Sequence, residues 1–442
     1  MTSLEKGFDI IKILGGESLI VGGAVRDYIL GHEPHDVDIC TNVPIEEIEK
    51  HFKVYDIGKS KSFGIVCINY KGEPFEISQF RADGEYKNGR SPEDITIVNS
   101  FKEDSARRDL TINALGMDYN KNIIDYHNGI NDIHNKIIRM VGDPVERIEE
   151  DKLRMLRVAR FASKLNFVID EKTLEACRKF SSSISEISAE RNRDELIKSS
   201  FSGEVLAQMI LNLDEMNLLR HILPEIHEMH KFPHKVEHHP EGNCFYHTVE
   251  ALRVSKSVDP ITNLGILFHD VGKIKTFDKE NITYYRHDYV GGKMIEGICE
   301  RLKFSNKEKE AFKFIAVNHM KFHNILKMRN SKIRKLMDDE NFQRLYDTSE
   351  ADNRARLHLF KEEDWQKVRD KLNEVENAIS QKDCQKIKKS INGKVIMELL
   401  NIKPSKFIGE IIKDVYTYAV DNNIKDDKVL LEYIKEKYKK GL

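Results

Sequence analysis

The chain is 442 residues long, 40% apolar and 33% charged, a balance that describes a folded, helix-rich protein in water. That length exceeds one ordinary hydrophobic core, so two to four domains are expected. The formal charge of −2 (71 Lys and Arg against 73 Asp and Glu) gives no global signature of nucleic-acid binding, so any RNA contact must rest on local positive clusters. No run of about 18 apolar residues occurs, so no membrane span is expected. The opening Met-Thr-Ser-Leu-Glu-Lys has no basic stretch leading into an apolar one, so no signal peptide is expected. Six cysteines without a C-x-x-C pair read as reduced structural thiols, which implies a cytoplasmic location.

Residues 3–14 form an amphipathic helix pattern. Leu19 to Val21 is an apolar strand that runs into Gly22-Gly23, after which a helix carries Arg26 and Asp27. A second short strand presents Asp36 and Asp38, two apart and therefore on one face. Glycine lets backbone N–H groups approach a phosphate, the helix N-terminus adds a favourable dipole, and paired carboxylates hold hard divalent cations. Such an arrangement suits a Mg²⁺–triphosphate. Each half alone is weak: Gly-Gly before a helix is usually only a tight turn, and Asp-x-Asp is usually a solvated loop. Pro44 begins another helix, and the runs Val54–Ile57, Phe63–Tyr70 and Pro74–Phe80 read as strands of a small mixed sheet. Glu76 is either a third carboxylate beside Asp36 and Asp38 or a solvated strand residue.

Residues 81–95 are polar and rich in breakers, hence a loop. In Glu103-Asp104-Ser-Ala-Arg107-Arg108-Asp109-Leu-Thr-Ile-Asn113, adjacent helical arginines diverge by roughly 100°, so one of the two is expected to reach a ligand. Arg107 is expected to pair with Glu103, four residues back. Tyr126 to Gly142 reads as a turn-rich connection. Asp143-Pro144 then opens one long helix through Arg160, on which Asp151 and Arg154 share a face. A carboxylate accepts from an exocyclic amine and a guanidinium donates to a ring nitrogen. Cytosine and adenine present that amine-then-acceptor edge; guanine and uracil present the reverse. Each polar group left unpaired in a closed site costs about 1–3 kcal/mol. An Asp/Arg pair can thus accept C and A without a template. Outside that context the pair is an exposed ion pair on a charged helix. Arg160 falls about opposite Asp151 on a continuous helix, which argues against Asp151, Arg154, Arg157 and Arg160 sharing one ligand.

In combination, Gly22-Gly23 with Arg26 and Asp27, Asp36-x-Asp38, and Arg107-Arg108-Asp109-Leu-Thr-Ile-Asn113-Ala resemble the signature of polymerase-β-like nucleotidyltransferases, in the branch of bacterial tRNA nucleotidyltransferases and poly(A) polymerases. Leu110 stands where that family has an aromatic residue. Glu150-Asp151-x-x-Arg154 resembles the motif with which the class II enzymes read the incoming nucleotide. The resemblance implies an α+β chain: a small mixed-sheet head with helices, then an all-α neck, an HD domain and a helical C-terminal region. It also implies that Asp36 and Asp38 are catalytic and bind Mg²⁺. Gly22, Gly23, Arg26, Arg108, Asp151, Arg154, Arg157 and Arg160 are the implied nucleotide-binding residues, and Asn113 is read as structural. Family members that add the terminal A carry a flexible loop at the place of residues 81–95. Glu85-Tyr86 and Arg90-Ser-Pro92 look intact here, which disfavours a CC-only enzyme; a surface loop without a role remains the other reading. Glu190-Arg191-Asn-Arg193-Asp-Glu195 resembles the motif that braces the neck.

Histidines crowd the region that follows, with eight of the 17 between His227 and His287. His247, the adjacent pair His269-Asp270, and Asp352 match the order His, His-Asp, Asp of HD phosphohydrolases, and His287 and His319 match the extra ligands of two-metal members. Imidazole with carboxylate suits Mn, Fe, Ni or Zn. A vestigial metal site kept as scaffold is the competing reading. His227, His230, His234, His238 and His239 read as a loop and not a ligand set. The lysine-rich segment from 356 onward reads as helical, and turn glycines such as Gly393 and Gly409 beside lysines would meet an RNA backbone or be a solvated face.

The expected division is 1–140 head, 141–224 neck, 225–355 HD domain and 356–442 C-terminal region. The expected function is template-independent addition or repair of the tRNA 3′ CCA end from CTP and ATP, with tRNA bound through its acceptor stem and 3′ end, and no DNA or membrane partner. The HD domain is expected to be a metal-dependent phosphatase or phosphodiesterase. Alternatives are an A-adding enzyme or poly(A) polymerase, an HD phosphohydrolase with a nucleotide-binding head, and a non-catalytic RNA-binding protein.

Overall fold

The computed structural model describes residues 1–34, 36–55, 60–83, 95–235 and 242–438. The loop expected at 81–95, from residue 84 to 94, and His238 and His239 lie outside the described residues, as does the end of the strand expected at Val54–Ile57. The chain divides into two compact units, Met1–Glu228 with Arg301–Lys303, and Met229–Glu300 with Phe304–Leu442. It is α+β, with the large sheet confined to the first unit.

That sheet has seven strands in the order Val54–Tyr55, Ile65–Tyr70, Glu73–Gln79, Asp38–Thr41, Ser18–Val21, Leu115–Met117, Ile123–Asp125. All neighbours are antiparallel except Asp38–Thr41 with Glu73–Gln79. Ser18–Val21 is buried along its whole length, as the unbroken apolar run demands of a strand covered on both faces. Its register sets Val21 opposite Asp38, so the Gly22 turn leaves the sheet directly beside the acidic strand. Gly22 has φ +71°, a left-handed conformation that glycine adopts without cost, and its N–H donates to the Leu115 carbonyl at 3.0 Å. The Gly23–Ile29 helix starts there. The expected helix at 3–14 is present as Ser3–Leu14, closed by a Thr2/Glu5 capping box.

Three local expectations change. Asp36 precedes the strand in a bend, and the strand itself begins at Asp38. Tyr126 to Gly142 is more ordered than a turn-rich connection, containing the helix Gly129–His134 and the strand Ile137–Ile138. The long helix from Pro144 is two helices, Pro144–Glu150 and Leu153–Leu165, because Asp151 adopts an extended conformation and its carboxylate accepts from Leu153 N–H at 3.0 Å. Asp151 thus caps the second helix instead of continuing the first.

The second unit is helical. Pro260–Phe268 opens with Pro260 in its first turn, its Asp259 cap accepting from Ile261 N–H, and packs Phe268 edge-on against Phe312. Further on, Ile396, Ile411, Val415, Leu430 and Ile434 form a separate apolar cluster among the C-terminal helices. Gly393 does start a helix behind an Asn392 cap, whereas Gly409 lies inside the helix Lys406–Asp421 and is not a turn glycine. No helix among the described residues is long and apolar enough to cross a membrane.

Gly272 follows the His269-Asp270 pair, and a Cβ there would stand 2.0 Å from the His287 carbonyl oxygen and 2.5 Å from Gly291 N. Gly272→Ala must therefore push the turn off the helix His287–Arg301, an overpacking that costs about 1–3 kcal/mol or more. The expected result in thermal unfolding is a midpoint lowered by several degrees, whereas Gly297→Ala, which meets nothing within 4 Å, leaves it unchanged or raises it.

Candidate functional site

The first unit holds a cleft of about 880 Å³ lined by Gly22, Gly23, Arg26, Asp36, Asp38, Glu76, Arg107, Arg108, Asp151, Arg154, Arg157 and Arg160. Every residue that the sequence assigned to the head's catalytic and nucleotide-binding sets lies on this one surface. One wall is acidic. Asp38 heads its strand, and Ile39 pairs with Ile77 in parallel register, which sets Glu76 beside Asp38. Of the two readings of Glu76, the geometry favours a third carboxylate. Asp38 is exposed at the head of its strand, yet desolvation by the cleft around it, then the like charges of Asp36 and Glu76, push its pKa up to about 6, against a smaller opposing pull from Arg108. Asp38 with Asp36 and Glu76 beside it makes a carboxylate donor set of the kind a hard divalent cation takes.

The rest of the lining is a lattice of arginines on buried acids. Asp104 is fully buried, and its carboxylate takes both Arg107 (2.8 Å) and Arg108 (3.0 Å). Burial alone would raise the Asp104 pKa; the two guanidinium groups outweigh it and hold the pKa low. Arg107 therefore pairs with Asp104 and not with Glu103. The helix ends at Ala106, so the 100° divergence does not apply, and both arginines reach the cleft. Arg108 also donates to Cys40 Sγ at 3.3 Å. Arg26 is held by Asp27 and by Asn113 Oδ1 (2.7 Å each), which gives Asn113 the structural part assigned to it.

Asp109 accepts from Arg157 Nε at 2.6 Å; burial would raise its pKa, and Arg157 outweighs that to keep it low. Arg154 is gripped by Glu150, by the Arg147 carbonyl and by the Arg107 carbonyl at 2.9 Å. Those three bonds leave two of its five N–H donors for a ligand. Asp151 is held through Oδ2 by Arg191 at 2.8 Å, with lone pairs to spare. The break at Asp151 resets the helical phase, so Arg160 is not opposed to Asp151. Its guanidinium lies 4.2 Å from the Phe161 ring and bonds Glu195. Phe161 also lies under Arg26 and Arg157, at 5.2 and 5.5 Å.

Sequence reasoning missed Phe161, Lys164 and Arg191 as cleft residues. Phe161 and Lys164 follow Arg157 by four and seven positions, a face spacing that would have found them; Arg191 sits in the segment read only as a brace. Glu195 does brace, bonding Arg160 and Lys198.

In the second unit, His247, His269, Asp270, His287, His319 and Asp352 come together, all buried. His247, His269 and Asp270 form one group of potential ligand atoms and Asp270, His287 and His319 a second, sharing Asp270. The Nδ1 atoms of His269, His287 and His319 meet the carbonyls of Ile266, Tyr284 and Ala316 at 2.7–2.8 Å. Such bonds put the proton on Nδ1 and aim each Nε2 lone pair inward. His247 Nε2 lies 2.8 Å from Asp352 Oδ1, and His287 Nε2 3.3 Å from Asp270 Oδ1. Asp270 Oδ1 and His269 Nε2 are buried without a well-directed hydrogen bond, as atoms suited to a cation would be. Of the neighbouring histidines, His227 bonds Asp214, His230 stacks on Phe245, and His234 meets Cys244 and Lys273. His227 and His230 lie in short helical turns and not in a loop.

Known proteins share these features. Residues 18–139 match the "Poly A polymerase head domain", 166–229 the "Probable RNA and SrmB- binding site of polymerase A", and 244–357 the "HD domain". The chain is 40% identical over 209 residues to the CCA-adding enzyme of Staphylococcus haemolyticus, 47% of this chain and 52% of that protein. It is 45% identical over 185 residues to the CCA-adding enzyme of Lactobacillus helveticus, 42% of this chain and 46% of that one. The chain spans about half the length of the curated relatives it matches. Its fold is similar to that of the Bacillus stearothermophilus CCA-adding enzyme in complex with CTP, with a TM-score of 0.73, 22% identity, and coverage of 100% of this chain and 99% of that one. It is also similar to the Thermotoga maritima CCA-adding enzyme complexed with tRNA, with a TM-score of 0.57 and 18% identity over 98% of this chain and 93% of that one.

The raised Asp38 pKa has a measurable consequence. In the unfolded chain this carboxyl ionises near 3.8 and in the folded chain near 6, so folding holds the extra proton between those values and ionised Asp38 destabilises above them. Without divalent cations, Asp38→Asn is expected to raise the unfolding midpoint by a few degrees at pH 7.5, the gain fading as pH falls towards 4. Added Mg²⁺ should stabilise the parent protein and not the variant, read in the same melting scans.

Proposed function

We propose that this chain, whose residues 18–139 belong to the poly A polymerase head-domain family and 244–357 to the HD-domain family, is a tRNA nucleotidyltransferase. It adds or repairs the 3′ CCA end from CTP and ATP without a template. The observation that carries this reading is that one cleft is lined by Asp36, Asp38 and Glu76 together with Asp151 and Arg154. We assign 1–140 to the head, 141–224 to the neck, 225–355 to the HD domain and 356–442 to a C-terminal tRNA-contacting region. We place the protein in the cytoplasm, where its six free cysteines stay reduced.

Asp36 and Asp38, with Glu76 beside them, hold Mg²⁺. When bound, that ion supplies Lewis-acid chemistry, neutralising phosphate oxygens and favouring the ionised primer hydroxyl. The backbone at Gly22 and Gly23 lies against the phosphates at a helix N-terminus. Arg108 and Arg157, fixed by Asp104 and Asp109, meet the nucleotide without having to be ordered first. Asp151 accepts from the N4 amine of cytosine or the N6 amine of adenine, and Arg154 donates to the adjacent ring nitrogen. Guanine or uracil would set acceptor against carboxylate and donor against guanidinium, at about 1–3 kcal/mol for each unpaired group.

The buried His/Asp cluster supports a second activity, metal-dependent hydrolysis of a phosphoester at the HD domain: His247, His269, Asp270, His287, His319 and Asp352 would hold ions of the Mn, Fe, Ni or Zn type, which would supply Lewis-acid activation of water.

Incorporation is tested on tRNA lacking A, CA or CCA, with CTP and ATP supplied separately and together. Full restoration of CCA is expected; addition of A alone, or of an extended A tail, would replace this reading with the A-adding or poly(A) one. Asp36→Ala is expected to reduce incorporation by at least 10³-fold, on the order expected for loss of metal and charge stabilisation. Asp270→Ala is expected to leave incorporation unchanged and to abolish metal-dependent phosphoester hydrolysis. Loss of incorporation with Asp270→Ala would contradict this division of labour.

A further inference from the structure

The cations of the cleft are not equivalent. Seven of the arginines that line it are bonded to carboxylates: Arg26 to Asp27, Arg107 and Arg108 together to Asp104, Arg154 to Glu150, Arg157 to Asp109, Arg160 to Glu195 and Arg191 to Asp151, while Arg81 donates to the Phe63 carbonyl. Six carboxylates thus offset most of the charge of these seven. Lys164 lines the same cleft, is solvent-exposed, and has no carboxylate partner among the described residues.

Its position is as telling as its charge. Lys164 follows Arg157 by seven residues and Arg160 by four on the helix Leu153–Leu165, so all three sit on adjoining parts of one face. Arg154 stands at the N-terminal end of that helix, about 15 Å from Lys164 at 1.5 Å per residue. Between them Phe161 carries Arg26, Arg157 and Arg160 around its ring, and Arg26 ties this stretch to the Gly22-Gly23 turn. A nucleotide with its base at Arg154 and its first phosphates near the glycine turn has its chain end directed along the helix towards Lys164. A terminal phosphate carries the most negative charge of the triphosphate, and an exposed lysine without a carboxylate partner meets it with its full charge.

We propose that Lys164 binds the terminal phosphate of the incoming nucleoside triphosphate, and so makes the cleft distinguish triphosphates from diphosphates. This inference rests on the nucleotidyltransferase reading of the cleft. The lysine is a binding residue and takes no part in base choice. Because the same phosphate leaves in pyrophosphate, Lys164 also holds that product.

The test is calorimetric binding of Mg²⁺–CTP and Mg²⁺–CDP to the full chain without tRNA, so that no turnover intervenes. Lys164→Met is expected to weaken CTP about five- to tenfold, the loss of one partly exposed charge-assisted contact, and to leave CDP unchanged. Inhibition of incorporation by pyrophosphate should weaken in parallel. Melting at the parent temperature verifies folding, since the side chain is on the surface, and Lys164→Arg should restore the preference for CTP. Equal weakening of CTP and CDP, or no change in either, overturns the proposal. A loss confined to tRNA affinity would also overturn it, by assigning Lys164 to the primer. If the parent protein binds neither nucleotide, the nucleotidyltransferase reading itself fails, and that result is separate from the behaviour of the variant.

Discussion

The cleft depends on buried carboxylates that cannot stay charged without guanidinium partners. Asp104 is inaccessible to solvent, and two arginines are needed to keep it ionised; Asp109 requires Arg157. Breaking such a pair by removing one member leaves an uncompensated buried charge, at about 3–5 kcal/mol. The same bonds fix where the arginines point. Carbonyls of residues 106 and 107 accept from Arg147 and Arg154, so the segment carrying Arg107, Arg108 and Asp109 is clamped to the segment carrying Asp151 and Arg154. On the proposed function, the charges a polyphosphate would need are in place before it arrives, and the reorganisation that flexible surface arginines would require is avoided.

The acidic wall has its own electrostatics. Desolvation in the cleft, then the like charges of Asp36 and Glu76, raise the Asp38 pKa, and the pull of Arg108 offsets only part of that. An ion of charge +2 supplies what the protein withholds, and the site is correspondingly unfavourable without it.

What could be read in the sequence followed from local rules. The run Leu19 to Val21, the Gly22-Gly23 turn and the helix at 3–14 are set by apolar spacing and capping, and they appear in place. Residue type and short spacing singled out the Asp36/Asp38 and Asp151/Arg154 pairs, but only their combination with the other motifs, and the family resemblance it carries, set them above a solvated loop and an exposed ion pair. Long-range partners were not legible: Asp104 over Glu103 for Arg107, or Asp27 and Asn113 for Arg26, depend on which faces the sheet buries. The helix break at Asp151 was missed because a charged residue in a charged helix gives no breaker signal. Its cause is a side-chain cap whose value appears only once Arg191 anchors the same carboxylate. In the second unit the ligand order of the resemblance singled out six residues that the structure brings together. The carbonyl contacts that orient three of the imidazoles come from the residue three positions back, within a helix for His269 and His319 and from the end of a strand for His287.

The central claim is that Asp151 and Arg154 choose the base in the cleft served by Asp36 and Asp38. Its most direct test is single-turnover transfer of each of the four ribonucleotides onto tRNA ending in CC, in the parent protein and in Asp151→Ala. The account predicts that ATP is strongly preferred over GTP and UTP by the parent protein and that the variant loses this preference while still transferring nucleotide slowly. An Asp151→Ala protein that keeps the preference for ATP would contradict it.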